Sequence, residues 1–328
     1  MRGNTRCMER KNQPALALLR DHLVLIAIIG LVLVTLILQP RFFSVDNLTN
    51  ILRQFGPLSL MALGMTFVII GGFIDLSISG SISLAAVLTV MMIQPLGQVP
   101  ALILGLLIGL ACGLLNAFLI TTAGAMKMSE ALFISFGMSM VYSAIALLIS
   151  GGATQHMNYV EVPTSVFEFI GKGSLGLITA SFLIFLVCLL ALHLFQSRSY
   201  MGRVISYVGG NKEAALLAGL PVKFSVYIMF ALSGLMCALG SIVLFSRITT
   251  ASPVLGVGYD TNAILAVVVG GTSLKGGKGS LLKTVLGTLL IILMSNCLNL
   301  LGVTTDMQSV VKGIILVIAI WLDNRREQ

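Results

Sequence analysis

The sequence predicts an all-α polytopic membrane protein with about ten transmembrane helices, and three observations carry that prediction. Of 328 residues, 57% are hydrophobic and 10% charged, with a mean hydropathy of +1.03. A soluble protein carries about 25% charged residues, so this chain has too little polar surface to coat a globule. Apolar runs approaching the ~20 residues that cross a bilayer recur along the whole length. The basic residues sort to alternate sides of those runs, as the positive-inside rule requires.

The spans lie near residues 22–39, 57–74, 79–94, 100–122, 131–150, 175–195, 224–246, 261–274, 284–303 and 308–322. The first follows Arg2, Arg6, Arg10, Lys11 and Arg20, and so looks like a signal peptide. It ends in Gln39, Pro40, Arg41 and Phe42 instead of small residues, which marks a retained helix. The third, eighth and tenth runs are short, as tilted, broken or re-entrant segments would be. In the fourth, Gly105, Gly109 and Gly113 repeat every fourth residue, a spacing that lets helix backbones approach closely.

With the N-terminus placed in the cytoplasm, 15 of the 20 basic residues fall inside. Outside are Arg41, Arg53, Lys172, Arg247 and Lys312, balanced by five acids, while seven acids lie inside. The net charge of +8 is therefore an orientation signal and no sign of a nucleic-acid partner. Segments 1–21 and 323–328 are expected in the cytoplasm, flanking a transmembrane domain over 22–322. The largest inner loop spans 197–223 and the largest outer one 150–174; neither is long enough for a separate domain.

Chemistry is sparse. The five cysteines form no CxxC pair, and His22, His156 and His193 lie far apart, so no metal-ligand spacing exists. No nucleophile or acid–base set is visible. The stretch Asn262 to Ser280, NAILAVVVGGTSLKGGKGS, superficially resembles a phosphate loop. The required pattern is G-x4-G-K-[ST]. Thr272 stands where the first glycine should be and Gly279 follows Lys278, so both ends fail.

Four patterns remain. In the inner loop, Glu213-Ala214-Ala215 followed by Gly219 reads as a short helix with an acid in its first turn and a glycine stop. It fits a helix that docks into a partner's groove, or an ordinary basic loop. Second, Val68 to Ser81 echoes Val267 to Ser280 at an offset of 199 residues: Gly71, Gly72, Gly80 and Ser81 fall on Gly270, Gly271, Gly279 and Ser280. Paired glycine-interrupted helices in two halves point to a transport path. Third, Asp75 is either a functional acid within the membrane or a cap on the following helix. Fourth, Asn116, Asn262, Asn296 and Asn299 are amides inside spans. They either bond neighbouring helices or line a hydrated path, and Asn296 and Asn299 share a helix face.

Taken in order, GFIDLS (Gly72–Ser77), GR…VGGNKEAALLAG (Gly202–Gly219), LSGLMCALGS (Leu232–Ser241), AVVVGGTSLKGGKGS (Ala266–Ser280), NCLNLLGV (Asn296–Val303) and VVKGIILVIAIW (Val310–Trp321) resemble the permease subunit of ribose-type sugar ABC importers. The resemblance runs from about Phe42 to Trp321. It implies a type II-like importer permease in the bacterial inner membrane, with both termini cytoplasmic. The implied partners are a second permease copy or sister permease, an ABC ATPase, a periplasmic substrate-binding protein and membrane lipid. The ATPase holds ATP and Mg; this chain binds no cofactor. Gly202, Arg203, Asn211, Glu213, Ala214, Ala215 and Gly219 would form the ATPase-coupling helix. Asn116, Asn296, Asn299 and Asp75 are the candidates for the translocation path. One departure is Phe73, where the family usually has a second glycine; others fall in Ile78–Ser81 and in the fifth span, and they bear on which solute is carried. Permeases for nucleosides, autoinducer-like sugar derivatives or branched-chain amino acids are the nearest alternatives. A secondary transporter would want mid-span carboxylates, and an enzyme a reactive set; neither is seen.

Overall fold

The computed structural model describes residues 23–176 and 178–325. Each of the ten expected spans falls on a helix. The helices on the first five expected spans are α1 (Leu23–Leu38), α2 (Val45–Ile70), α3 (Ile78–Leu96), α4 (Gln98–Thr122) and α5 (Met128–Ser150). A short α6 (Ser165–Lys172) follows, then α7 (Ala180–Arg198). The inner-loop helices are α8 (Tyr200–Gly210) and α9 (Lys212–Leu217). The chain continues through α10 (Val222–Ile248), α11 (Tyr259–Val269), α12 (Leu281–Leu300) and α13 (Thr305–Arg325). Seven of these, α2, α3, α4, α5, α7, α10 and α12, are long and apolar enough to cross a membrane. The chain is thus a multi-pass membrane protein. The eighth expected span is short: α11 has 11 residues, about 16 Å of rise against a ~30 Å hydrocarbon core. The cytoplasmic segment expected at 1–21 and residues 326–328 lie outside the described residues.

The all-α expectation needs a small amendment. Four two-residue strands occur in loops: β1 (Gln155–His156), β2 (Ser174–Leu175), β3 (Ile178–Thr179) and β4 (Thr250–Ala251). β1 pairs antiparallel with β4, with Gln155 opposite Ala251, and so ties the long 150–174 loop to the end of α10.

Burial sorts the helices into a buried centre and an exposed shell. The apolar window of α2 is 89% buried and that of α5 only 22%. α10 lies beside α2, and glycine lets α4 approach it closely: a Cβ on Gly234 would stand 3.0 Å from the Gly113 Cα. Gly105, Gly109 and Gly113 all face neighbours this tightly, so the stripe serves packing within one bundle.

The two glycine pairs do the same local job. At the end of α2, Phe73 N–H donates to Val68 O (3.0 Å) and Gly72 N–H to Ile69 O (2.9 Å). At the end of α11, Thr272 N–H donates to Val267 O (3.2 Å) and Gly271 N–H to Val268 O (2.8 Å). This six-to-one and five-to-two pattern needs a left-handed residue, which Gly72 (φ 77°) and Gly271 (φ 91°) supply. The echo then stops. Gly80 lies inside α3, whereas Gly279 precedes α12, so only the helix ends are repeated.

Candidate functional site

Three places in the bundle carry polar chemistry: the α8–α9 segment, a buried network around Asp75, and a cavity at the opposite end of α10.

The α8–α9 segment is built from caps. Ser199 accepts from Gly202 N–H (2.9 Å) and opens α8; Asn211 accepts from Ala214 N–H (2.9 Å) and opens α9. Gly202 is buried because the chain doubles back on α7, where a Cβ would stand 2.6 Å from Gln196 O. Arg203 is exposed and reaches back to Arg198 O (3.3 Å). Glu213 lies in the first turn of α9, and Gly219 (φ 73°) ends it with the same reversal as the two glycine pairs. Ala215 is the buried residue of α9, packed near Val204, Val208 and Val222. Glu213 and Ala214 face outward with Leu216 and Leu217, the latter 90% exposed. The helix therefore presents an apolar face and an acid that none of the described residues covers.

Beneath it, three chain segments meet through glycine. Gly277 N–H donates to Ile70 O (2.7 Å), joining the loop after α11 to the end of α2. Gly209 lies against both; a Cβ there would overlap the Ile70 carbonyl oxygen. The end of α2 and the loop after α11 thus converge where α8 passes into α9.

Lys212, next to Glu213, locks this junction. Its Nζ donates to Met126 O (2.6 Å) and Gly72 O (3.4 Å) and stands 3.6 Å from the centre of the Phe73 ring. Burial pulls its ammonium down to about 8, opposed by the charge of Glu130. Phe73 is the residue that departs from the family pattern, and here it supplies the cation's seat. A groove of about 550 Å³ opens beside it, lined by Met126, Lys127, Asn211, Lys212, Glu213 and Lys275 among others.

Asp75 is 2% exposed and sits between α2 and α3. Its Oδ1 accepts from Ser77 N–H (3.0 Å) and Ser77 Oγ (2.6 Å), and its Oδ2 from Ser233 Oγ of α10 (2.8 Å). The capping alternative is thereby replaced: Ser77 stands at the start of α3, and Asp75 closes an Asx turn before it. Asn116 belongs to the same network. Its Nδ2 donates to Ser77 Oγ (2.6 Å), and its Oδ1 accepts from Tyr142 OH (3.1 Å). Both residues are satisfied by protein and tie α3, α4, α5 and α10 together.

Asn296 and Asn299 separate. Asn296, 3% exposed, exchanges two hydrogen bonds with Asn47 of α2 (2.8 and 3.0 Å). Asn299 accepts from Gln308 Nε2 of α13 (2.7 Å) and lines the cavity at the far end of α10. That cavity, about 240 Å³, lies among α2, α10, α11, α12 and α13. Gln54, Arg247, Asn262, Asn299, Gln308 and Lys312 are its principal polar groups. Sequence reasoning did not single out Arg247 or Lys312 as site residues. The signal was in the charge count, since both belong to the few cations expected on the outer side.

Residues 47–320 match the family described as branched-chain amino acid transport system / permease component. The ribose import permease protein RbsC of Escherichia coli K12 is 32% identical over 313 residues, covering 95% of this chain and 96% of that protein. RbsC of Bacillus subtilis 168 is 36% identical over 301 residues, 90% of each chain. The autoinducer 2 import system permease protein LsrD of Photorhabdus temperata is 32% identical over 309 residues, 89% of this chain and 91% of that one. No solved structure matches.

Proposed function

Because the chain belongs to the branched-chain amino acid transport system / permease component family, we propose that it is the membrane-spanning subunit of an ATP-driven importer for a small sugar. All ten apolar helices pass or enter the bilayer, with both termini in the cytoplasm of a bacterial inner membrane. Two permeases, two copies or a sister pair, enclose the path. A separate ABC ATPase carries ATP and Mg, and a periplasmic binding protein delivers the solute.

The observation that carries this reading is the convergence at Gly209. The end of α8, which leads directly into the exposed α9 helix, is packed by backbone contact onto the end of α2 and the loop after α11. A subunit that pushes α9 would therefore move two helices that reach the far cavity. The solute class follows from the cavity lining and from the relatives named above. An amino acid brings an ammonium group, which like charges repel; the described lining holds two cations and no carboxylate to offset them.

The test is reconstitution in proteoliposomes with the partner ATPase and binding protein. D-ribose or autoinducer 2 should stimulate ATP hydrolysis and accumulate, and leucine should not. The permease alone should hydrolyse no ATP. Turnover that copurifies with the permease through exhaustive removal of other ATPases would sink the reading, as would stimulation by leucine alone.

A further inference from the structure

We propose that the cavity at the far end of α10 is a solute-binding station whose occupant offers several acceptor oxygens and carries no positive charge, with Arg247 and Lys312 as the residues that hold it. This rests on the importer reading. Ionisable groups within spanning helices are costly and persist where they face a hydrated cavity or a partner. Arg247 lies in the last turn of α10 and Lys312 in α13, both half-buried at the cavity wall. Among the described residues neither pairs with a carboxylate. Arg53, one position before Gln54, donates from Nη2 to Lys172 O (3.1 Å) and adds its repulsion to Arg247; among the described residues its buried Nε has no partner. Two of the five cations expected on the outer side thus line this cavity.

Arginine and lysine only donate hydrogen bonds, whereas Gln54, Asn262, Asn299 and Gln308 both donate and accept. The lining has a surplus of donors. Its occupant must bring the acceptors, as hydroxyl, carbonyl or anionic oxygens, and a cation is repelled. At about 240 Å³ the cavity falls below the 300–1,000 Å³ usual for drug-sized ligands, a scale that suits a small sugar. The helices α2 and α11 wall this cavity, and the end of α2 and the loop after α11 meet at the Gly209 junction, so the station is connected to the docking helix.

Asn299→Cys places a thiol in the lining; labelling is read against the unsubstituted chain, whose Cys112, Cys237 and Cys297 are buried. Relative to a free thiol, the anionic sulfonatoethyl methanethiosulfonate should react about tenfold faster or more than the cationic trimethylammonioethyl reagent. Combining Arg247→Gln with Lys312→Gln should erase the preference, and Arg247→Lys with Lys312→Arg should keep it. D-ribose or D-ribonate should slow labelling, and which of the two protects tells neutral from anionic solutes; D-glucosamine should not protect. In the complex with ATPase and binding protein, Arg247→Gln/Lys312→Gln should lower D-ribose uptake per folded permease about tenfold. Equal labelling rates, absence of protection by both oxygen-rich probes, or unimpaired uptake in the double variant overturns the proposal. If Asn299→Cys does not fold, Asn262→Cys reports on the same cavity. A wild-type complex that moves no D-ribose overturns the sugar reading instead, while the labelling arms still decide this one.

Discussion

Lys212 is a residue whose loss should separate coupling from stability. K212M removes hydrogen bonds to Met126 O and Gly72 O and the contact with Phe73. Hydrogen bonds from a charged donor contribute about 1.5–3 kcal/mol, and a cation on an aromatic face about 0.5–2 kcal/mol. Against this stands the burial of the ammonium. Lowering its pKa from 10.5 to about 8 disfavours the charged form by about 3 kcal/mol at ~1.4 kcal/mol per pH unit, and by less once solvent screening of a half-buried group is counted. The terms nearly cancel, so K212M should unfold within about 1 kcal/mol of wild type at pH 7. The sign with pH follows from proton counts. Between about 8 and 10.5 the unfolded chain keeps the proton and the folded chain has lost it, so folding stability rises with pH through that window. The coupled state runs the other way, because its lock needs the charge. Transport per ATP hydrolysed should fall about tenfold in K212M, and in wild type should decline as pH rises through about 8. K212R should retain the stoichiometry and lose the decline with pH, because a guanidinium stays charged throughout. Glu130, Lys127, Glu213 and Lys275 face or line the same groove and set the ionic background. The assay is solute uptake against phosphate release in proteoliposomes between pH 6.5 and 9. Wild-type stoichiometry in K212M, or an identical pH profile for the two, would refute the lock.

Three further outcomes are expected. G209A should cost about 1–3 kcal/mol through overpacking and abolish transport, because its Cβ overlaps the Ile70 carbonyl, whereas G210A, whose Cβ would stand 4.0 Å from the Gly277 Cα, should unfold within about 0.5 kcal/mol of wild type; thermal unfolding in detergent compares them. D75N replaces an acceptor oxygen with an amide donor facing Ser77 or Ser233, and the same measurement should show a loss of about 1–3 kcal/mol. N296L strands Asn47 and should lower abundance or stability by about 0.6–1.7 kcal/mol with uptake per folded molecule unchanged, while N299L should lower uptake per folded molecule first.

Much of the fold was legible in the sequence because its signals are local. A run of apolar side chains must be a spanning helix wherever it sits, since lipid offers no partner for a bare backbone group. Hence every expected span fell on a helix, and α11 came out short. Glycine pairs and EAA-x3-G were equally readable: Gly72, Gly271 and Gly219 end helices by adopting a left-handed backbone, which depends on the residue and not on its neighbours in space. Asn211 before Glu213 marked the start of α9 in the same way.

What the tertiary structure alone decided is which polar side chains meet. Asn296 and Asn299 are three residues apart on one helix, yet the 60° difference in their directions sends one to Asn47 and the other to a cavity. Asp75 looked like a cap until α10 brought Ser233 to its second oxygen, 158 residues away. Lys212 and Phe73 read separately as a loop cation and a departure from pattern; only the crossing of α9 over the end of α2 makes them a lock. Arg247 and Lys312 entered the sequence reading as two tallies of outer charge. Hydropathy and backbone preference are properties of a stretch of chain, but a site is a coincidence of side chains from separate stretches, and helix packing sets that coincidence.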